Sequence, residues 1–261
     1  MALRSGSILA IAAVLGGGAG LAYAMLVKPG RPAAQVTIDL PTSVGAPIKT
    51  REAKAEVAAS RKEAPLLCNG EASPVAETAD GRLFGHFRYG EPSPTDLVPP
   101  PAGFGGPNCP TIHRDMAASL TSLIAAARKD DPQIASAMTG ISCFRSIERQ
   151  RGIFCNPAKI KDRGIAGQAK WVAPPGYSEH ATGLTIDFGA RTVPQCHVHP
   201  CFKTTKTGQW LAKNARRFGF ELSFPEGNGQ GVSYEAWHYR WVGNDRAKAA
   251  FAPARAAFPA G

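Results

Sequence analysis

Two short segments of the sequence carry histidine and carboxylate side chains at spacings that suit metal chemistry. The first contains His180 and Asp187, and the second contains Glu235 and His238. Catalytic zinc commonly takes three nitrogen or oxygen ligands and leaves a fourth position open for water. His180, Asp187 and His238 supply such a set, and Glu235 supplies a carboxylate for proton transfer. Because a histidine is also common as a hydrogen-bonded core residue, the spacing leaves a structural role open beside the zinc site.

The first of these segments reads as a strand. Leu184, Ile186 and Phe188 alternate with Thr185 and Asp187, which is the pattern of a half-buried β-strand. The alternation places Asp187 on the face opposite the apolar side chains. A buried carboxylate there is costly unless it is paired, hydrogen-bonded or bound to metal.

The second segment needs a local break in the strand. In a flat strand, residues three apart point to opposite faces, so Glu235 and His238 would not meet. We therefore expect Glu235 in a turn or bulge that comes just before the strand carrying His238.

The neighbouring patterns predict helices and strands in alternation. Thr111 can cap a helix that ends near Asp130, and a second helix follows Thr207 and stops at Gly219. The first helix has an apolar stripe at three- and four-residue spacing, formed by Met116, Leu120, Leu123, Ile124 and Ala127. Residues 220–224 alternate as a further strand, and 225–228 suit a hairpin turn. These features predict an α+β fold.

Composition narrows the class of protein. The 261 residues are 44% hydrophobic and 19% charged, which fits one folded core and excludes disordered, fibrous and coiled-coil proteins. The net charge of +10 favours anionic surroundings. The basic residues are scattered without an aromatic-interleaved stripe, so we expect no nucleic-acid partner. The sequence has no G-x-S-x-G serine-hydrolase motif and no phosphate-binding loop.

The N-terminus predicts export. Residues 1–27 combine one basic residue with a long apolar run and an Ala-Tyr-Ala site, which leaves a cleaved signal peptide and a retained membrane anchor as alternatives. Residues 28–66 are predicted to form a flexible linker, and 67–261 a folded domain with an irregular lead-in over 67–110. We expect the domain in the periplasm or facing the cell wall, with membrane contact only through the N-terminal segment.

Six cysteines agree with an oxidising compartment. Since short and medium loops close most readily, the expected pairs are Cys196–Cys201, Cys143–Cys155 and Cys68–Cys109. The run Cys-His-Val-His-Pro-Cys at 196–201 could alternatively bind a metal through thiolates and imidazoles. A disulfide with two exposed histidines is the interpretation we favour there.

Three ordered blocks resemble one known family. Residues 175–187 resemble the S-x-H-x-x-G-x-A-x-D signature of zinc D-alanyl-D-alanine carboxypeptidases of the VanY type, and 235–238 resemble their E-x-W-H. Phe144-Arg145-Ser146 followed by Gln150 is similar to a third block, usually Y-R-S followed by Gln. The resemblance covers roughly 143–243. It implies a fold of the hedgehog/D-Ala-D-Ala peptidase type, with a small central antiparallel sheet and flanking helices.

The resemblance also assigns roles to residues. It implies one zinc ion on His180, Asp187 and His238, with Glu235 as catalytic base. Arg145 would be the cation near the substrate carboxylate or the tetrahedral oxyanion. The resemblance implies that Ser178 and Gln150 bind substrate. Trp237 would form a wall of the pocket or pack in the core. Phe144 and Thr185 occupy positions where the family usually has Tyr and Ala. These differences affect the expected substrate specificity and not the expected reaction.

The function implied is removal of the terminal D-alanine from peptidoglycan stem peptides. The same metal set would serve a D,D-dipeptidase or a peptidoglycan endopeptidase, because pocket shape decides which amide is presented. A module that binds the envelope without turnover is the alternative from a different class. An intact Glu235 argues against that module, since a purely structural zinc site has no use for a base.

Overall fold

The computed structural model describes residues 64–258. The predicted export segment at 1–27 lies outside the described residues, as does almost all of the predicted linker, so these domain boundaries stay predictions. Within 64–258, every helix is too short or too polar to cross a membrane.

A four-stranded antiparallel sheet forms the centre of the described part of the chain. Its strands lie in the order β3-β4-β6-β5, and a separate two-stranded pair joins β1 to β2. The strand bounds are β1 Leu97–Val98, β2 Ile112–His113, β3 Met138–Ser142, β4 Thr185–Ala190, β5 Phe220–Leu222 and β6 His238–Trp241. The predicted α+β class with a small antiparallel sheet is confirmed.

Helices pack on both sides of this sheet. Their bounds are α1 Arg114–Asp130, α2 Pro132–Ala137, α3 Ile147–Phe154, α4 Pro157–Ala169, α5 Lys206–Asn214, α6 Asp245–Ala250 and α7 Ala252–Ala257. Helix α1 joins the main core on one face, whereas Ile153 of α3 lines a cavity on the other. Met116 and Leu120 of α1 join Ile186, Phe188 and Phe220 of the sheet in one core cluster, and all five are 0% exposed. The expected stripe of α1 is therefore its core-facing side.

The start of α1 differs from the expectation. The imidazole Nδ1 of His113 accepts from the Asp115 backbone N–H at 3.2 Å and caps the helix, so Thr111 is not the cap. Thr111 instead precedes β2, whose pairing with β1 keeps the backbone extended through His113. A capping residue also needs an extended backbone, which is why His113, the last extended residue, takes that place.

The second helix ends as predicted. Its start is earlier than predicted, because Thr205 caps α5 and Thr207 lies within its first turn. The chain continues past Asn214 as a 3-10 turn at 215–218. Gly219 follows with a φ of 81°. This left-handed conformation favours glycine, and a Cβ at Gly219 would also lie 3.0 Å from the Cα of Gly243.

Three disulfides brace the described residues, and their pairing corrects two of the three expected links. Cys196–Cys201 is as expected, but the other two pairs are Cys68–Cys155 and Cys109–Cys143. Cys143 and Cys155 flank α3, whose 8 residues extend about 12 Å at 1.5 Å per residue. This rigid helix holds Cys143 and Cys155 apart. The prediction considered only the number of residues between the cysteines and not the helix that separates them.

The strand β4 is more buried than a half-buried pattern predicts. All six of its residues are buried. Ile186 and Phe188 face the helix-covered core, and Asp187 lies on the wall of a cavity on the other face. The expectation that Asp187 points away from the apolar side chains is confirmed.

Candidate active site

A cavity of about 190 Å³ lies on the side of β4 and β6 away from the main core. Its polar wall brings together five side chains from three separate stretches of the chain: Arg145, His180 with Asp187, and Glu235 with His238. All five come from the residues that the sequence singled out. Three of them have oxygen or nitrogen atoms within 4.8 Å of one another, namely His180, Asp187 and His238.

His180 is positioned by a 3-10 turn at Glu179–Thr182. The turn closes at Gly183, whose φ of 69° requires glycine and whose added Cβ would lie 3.2 Å from the His113 backbone nitrogen. The imidazole Nδ1 lies 2.8 Å from the Cys143 carbonyl oxygen, to which it can donate. This bond directs Nε2 toward Asp187, 3.1 Å from Oδ2.

Asp187 and His238 meet because their strands are neighbours. They are directly paired in the β4–β6 register, so both side chains project to the same face. The Nδ1 atom of His238 lies 3.0 Å from Asp187 Oδ1. The carboxylate of Asp187 thus lies between the two imidazoles, and their interactions with it hold the Asp187 pKa far below its usual range despite burial.

The other nitrogen of His238 is held by a buried carboxylate. Nε2 lies 3.0 Å from Glu179 Oε2, which also accepts from the Ser223 hydroxyl at 2.5 Å. Glu179 Oε1 accepts from the Arg240 guanidinium at 3.1 Å. Burial alone would raise the pKa of Glu179, but Arg240 and His238 lower it to about 2. This network sets the orientation and the tautomer of the His238 ring.

The donor set fits a zinc ion. His180 Nε2 is buried and lies 3.1 Å from Asp187 Oδ2, but it makes no hydrogen bond within the described residues. A nitrogen in this state is available to a metal. The remaining nitrogen of each ring has an oxygen partner, at Cys143 for His180 and at Glu179 for His238. Metal-binding histidines are usually held in this way. Two imidazoles and one carboxylate are a common catalytic zinc set.

Glu235 occupies a turn before β6, as the spacing predicts. Its backbone N–H donates to the Phe224 carbonyl at 3.1 Å, and its carbonyl accepts from the His238 N–H at 3.3 Å. The turn brings Glu235 Oε2 to 3.4 Å from His238 Nδ1. Burial raises the pKa of Glu235 to about 8, so this carboxyl group can exchange a proton near neutral pH.

Arg145 lies on the wall of the same cavity. Its backbone N–H donates to the His180 carbonyl at 3.2 Å, and its Nη1 lies 3.4 Å from Ser142 Oγ. The Nε atom is buried and makes no hydrogen bond within the described residues. Burial lowers the pKa of Arg145, and the nearby carboxylates of Asp187 and Glu235 oppose that shift. An underused cationic donor beside the metal ligands suits an anionic substrate group.

Three further residues from the sequence analysis lie at different places. Ser178 and Trp237 line the cavity, and Trp237, 4% exposed, also belongs to the main core. Gln150 is 1% exposed and does not line the cavity. Its Nε2 donates to the Ala173 carbonyl at 2.6 Å and so supports a segment that does line it.

The two departures from the family pattern, Phe144 and Thr185, lie outside the cavity lining. Thr185 is 0% exposed, and its hydroxyl has no hydrogen-bond partner within the described residues. The added hydroxyl is therefore a buried polar group on the strand that carries Asp187 and not a wall of the cavity.

Sequence reasoning assigned no role to Glu179, Ser223 or Arg240. Arg240 could have been found, because it lies two residues after His238 on the same strand and therefore on the same face. Glu179 precedes His180 directly, but its contact is with His238, 59 residues away in sequence. The contact forms because β4, which follows the turn carrying Glu179, pairs with β6, which carries His238.

Comparison with known proteins gives a consistent result. The family model described as VanY, D-alanyl-D-alanine carboxypeptidase, matches residues 110–244. The putative carboxypeptidase YodJ of Bacillus subtilis is 34% identical over 165 residues, which are 61% of this chain and 58% of that protein. A D-alanyl-D-alanine carboxypeptidase of Enterococcus faecalis is 36% identical over 139 residues, 49% of this chain and 47% of the relative. The chain thus spans about half the length of these curated relatives.

Among solved structures, the LdcB LD-carboxypeptidase is similar with a TM-score of 0.52 and 32% identity, over 61% of this chain and 72% of that one. The family match begins just before β2, ends after β6 and includes all of the candidate site residues. Because this match covers more than half of the chain, the protein belongs to the VanY family of D-alanyl-D-alanine carboxypeptidases.

Proposed function

We propose that this protein is a zinc-dependent carboxypeptidase that removes the terminal D-alanine from peptidoglycan stem peptides. The observation that carries the proposal is the meeting of His180, Asp187 and His238 with Glu235 in one cavity. A structural zinc site would have no use for the additional carboxyl group. Glu235 therefore favours catalysis over a module that only binds the envelope.

The residues that would hold zinc are His180 through Nε2, Asp187 through its carboxylate and His238 through Nδ1. Zinc with three protein ligands acts as a Lewis acid that polarises a carbonyl group and activates water. The chain prepares the site through the Cys143 carbonyl and the Glu179 carboxylate, which hold the two rings in place.

Glu235 would move the proton during peptide cleavage. It lies close enough to the ligand set to accept a proton from the attacking water and then donate it to the departing amine. Arg145 would bind the substrate's terminal carboxylate or the negative charge that develops on the scissile carbonyl oxygen. Its unpaired buried Nε supports either role.

The second candidate function is L,D-carboxypeptidase activity. The solved structure that resembles this chain with a TM-score of 0.52 is described as an LD-carboxypeptidase. The metal ligands and Glu235 would serve either bond, because stereochemical preference depends on the walls around the scissile residue. The D,D-dipeptidase and endopeptidase alternatives would use the same residues.

We also propose that the domain works outside the cytoplasm. Three disulfides among the described residues need an oxidising compartment to form and persist. A peptidoglycan substrate would be met in the same compartment. The N-terminal 1–27 segment would direct export, either as a cleaved signal or as an anchor.

The test is to incubate the zinc-loaded protein with two stem peptides and weigh the products by mass spectrometry. A pentapeptide ending in D-Ala-D-Ala tests the D,D reaction, and a tetrapeptide with one D-Ala after the diamino acid tests the L,D reaction. Chelator-sensitive loss of one alanine from the pentapeptide is the expected result. Loss only from the tetrapeptide, or release of a dipeptide, would move the assignment to the sister activity. No cleavage despite bound zinc would favour the binding module.

A further inference from the structure

The loop at 196–201 is the sequence motif that the proposed catalytic site leaves unused. Its disulfide Cys196–Cys201 removes both thiolates from metal binding. The Nε2 atom of His197 lies 3.0 Å from the Ala190 carbonyl at the end of β4. His199 Nδ1 accepts from the Cys201 backbone N–H at 3.2 Å. Both imidazoles therefore support the loop backbone.

These supports hold one residue, Val198, in an unfavourable conformation. Val198 has a φ of 49°, in the left-handed region that a β-branched residue rarely adopts. Such conformations persist where the surrounding structure enforces them, and they concentrate at functional sites. Val198 is 51% exposed and lines the candidate active-site cavity. The braced loop thus presents an apolar side chain at this cavity.

A second exposed apolar side chain, Trp171, lines the same cavity. Trp171 is 53% exposed, whereas the other three tryptophans of the chain are at most 7% exposed. Five large apolar residues are exposed in the described part of the chain, and three of them line this cavity: Ile153, Trp171 and Val198. Exposed apolar side chains gathered at a cavity indicate a ligand contact.

The size of the cavity indicates which part of the substrate reaches them. At about 190 Å³ it is smaller than the roughly 300–1,000 Å³ of ordinary ligand sites. His180, Asp187 and His238 are buried, and Arg145 and Glu235 are half-buried beside them. The terminal residues of a peptide would therefore enter toward these five side chains. The residue that precedes those terminal residues would stay at the exposed, apolar part of the cavity.

We propose that Trp171 and Val198 form an apolar rim that determines which residue may precede the terminal D-Ala-D-Ala. This inference rests on the proposed function. The indole and the isopropyl group offer hydrocarbon contact, so the rim favours a residue with a long methylene side chain. Such a side chain can pack its methylenes on the rim while its polar end stays in water.

The first experiment compares kcat/KM for two peptides on the zinc-loaded protein. One is acetyl-Lys(Nε-acetyl)-D-Ala-D-Ala, and the other carries glycine in place of the lysine. We expect the protein to prefer the lysyl peptide. Val198→Gly and Trp171→Ala should each reduce that preference about tenfold, since each removes apolar surface that the lysyl side chain would cover on binding. Glycine tolerates the positive φ of Val198, so Val198→Gly should not lower the melting temperature.

Val75→Gly is the matched control, because Val75 is also exposed, at 44%, but does not line the cavity. Its preference for the lysyl peptide should equal that of the parent. An unchanged preference in both rim variants, with cleavage intact, would overturn the rim while leaving the proposed function standing.

The second experiment needs no turnover. In zinc-loaded Glu235→Gln, acrylamide quenching of tryptophan emission reports mainly Trp171, the exposed indole. We expect the lysyl peptide to protect this emission more than the glycyl peptide does, and Val198→Gly in the same background to reduce the difference. Equal protection by the two peptides, or none, would overturn the rim. Selective protection without cleavage by the parent protein would support the rim and count against the proposed function.

Discussion

Two pairs of histidines in this protein share a residue type but differ in what holds their rings. His180 and His238 are 1% and 5% exposed, and each touches the carboxylate of Asp187. His197 and His199 lie in the disulfide loop, where their rings contact a backbone carbonyl and a backbone N–H, respectively. The first pair lies on the polar wall of a cavity, and the second supports a loop that borders it.

The difference indicates which of these histidines are suited to bind a metal ion. To bind a metal ion, an imidazole ring is usually oriented by a hydrogen bond from one nitrogen to an oxygen atom, while the other nitrogen faces the remaining metal-binding side chains. His180 has this arrangement, because Nδ1 contacts the Cys143 carbonyl and Nε2 makes no hydrogen bond to any residue that the structure describes. In the loop, the cysteines that could have completed a metal site are bonded to each other.

The largest expected effect comes from removing one ligand of the first pair. His238→Ala should lose stoichiometric zinc and reduce peptide cleavage to the level of the solution without enzyme, because two ligands do not hold the ion. Metal analysis after dialysis and the mass-spectrometric assay measure both. His199→Ala is the matched control and should keep one zinc per chain. Loss of zinc from His199→Ala but not from His238→Ala would show that the loop histidines, and not the cavity histidines, bind the metal.

Next in size is the loss of the proton carrier. Glu235→Gln should lower kcat by about 10²–10⁴-fold, the usual contribution of general acid–base catalysis, while zinc stays bound. Stopped assays and metal analysis on the same sample separate the two properties. Full turnover by this variant would contradict the role given to Glu235.

A smaller effect should follow from Glu179→Gln. The change weakens the bond that orients His238 and leaves the Arg240 guanidinium without its carboxylate partner there. Loss of such a supporting group typically costs about 10–100-fold in metal affinity or activity. Competition with a zinc chelator measures the affinity. Glu148→Gln changes an exposed carboxylate on α3 and should have no effect, so equal losses in both variants would contradict the supporting role.

The smallest effect concerns His86, a buried histidine of a third kind. Burial lowers its pKa from 6.5 to about 4. The unfolded chain therefore binds this proton at higher pH, and stability is lost as pH falls from about 6.5 toward 4. The loss between pH 7 and pH 5 should be about 2 kcal/mol.

Urea unfolding at the two pH values measures that loss. His86→Gln, which can still donate to the Ala169 carbonyl held at 2.8 Å, should show a smaller difference between pH 7 and pH 5. If His86→Gln lost as much stability between pH 7 and pH 5 as the parent protein, groups other than His86 would account for the pH dependence.

Local pattern was enough for several parts of the fold and of the site. The alternation around Asp187, the stop at Gly219 and the turn before His238 each depend on a few neighbouring residues, and the structure agrees. Local signals failed where a neighbour in space mattered. His113 caps α1 because β2 must pair with β1, and Gln150 supports the Ala173 segment from behind the cavity wall.

By itself, the sequence determined the chemistry of the candidate ligands, the base and the strand face that carries Asp187, because residue type and a period of two are local properties. Only the tertiary structure decided the partners. Cys68 meets Cys155 across 87 residues, Glu179 meets His238 across 59, and Val198 joins Trp171 at one cavity. Each of these contacts depends on how the sheet and helices pack, which spacing along the chain does not encode.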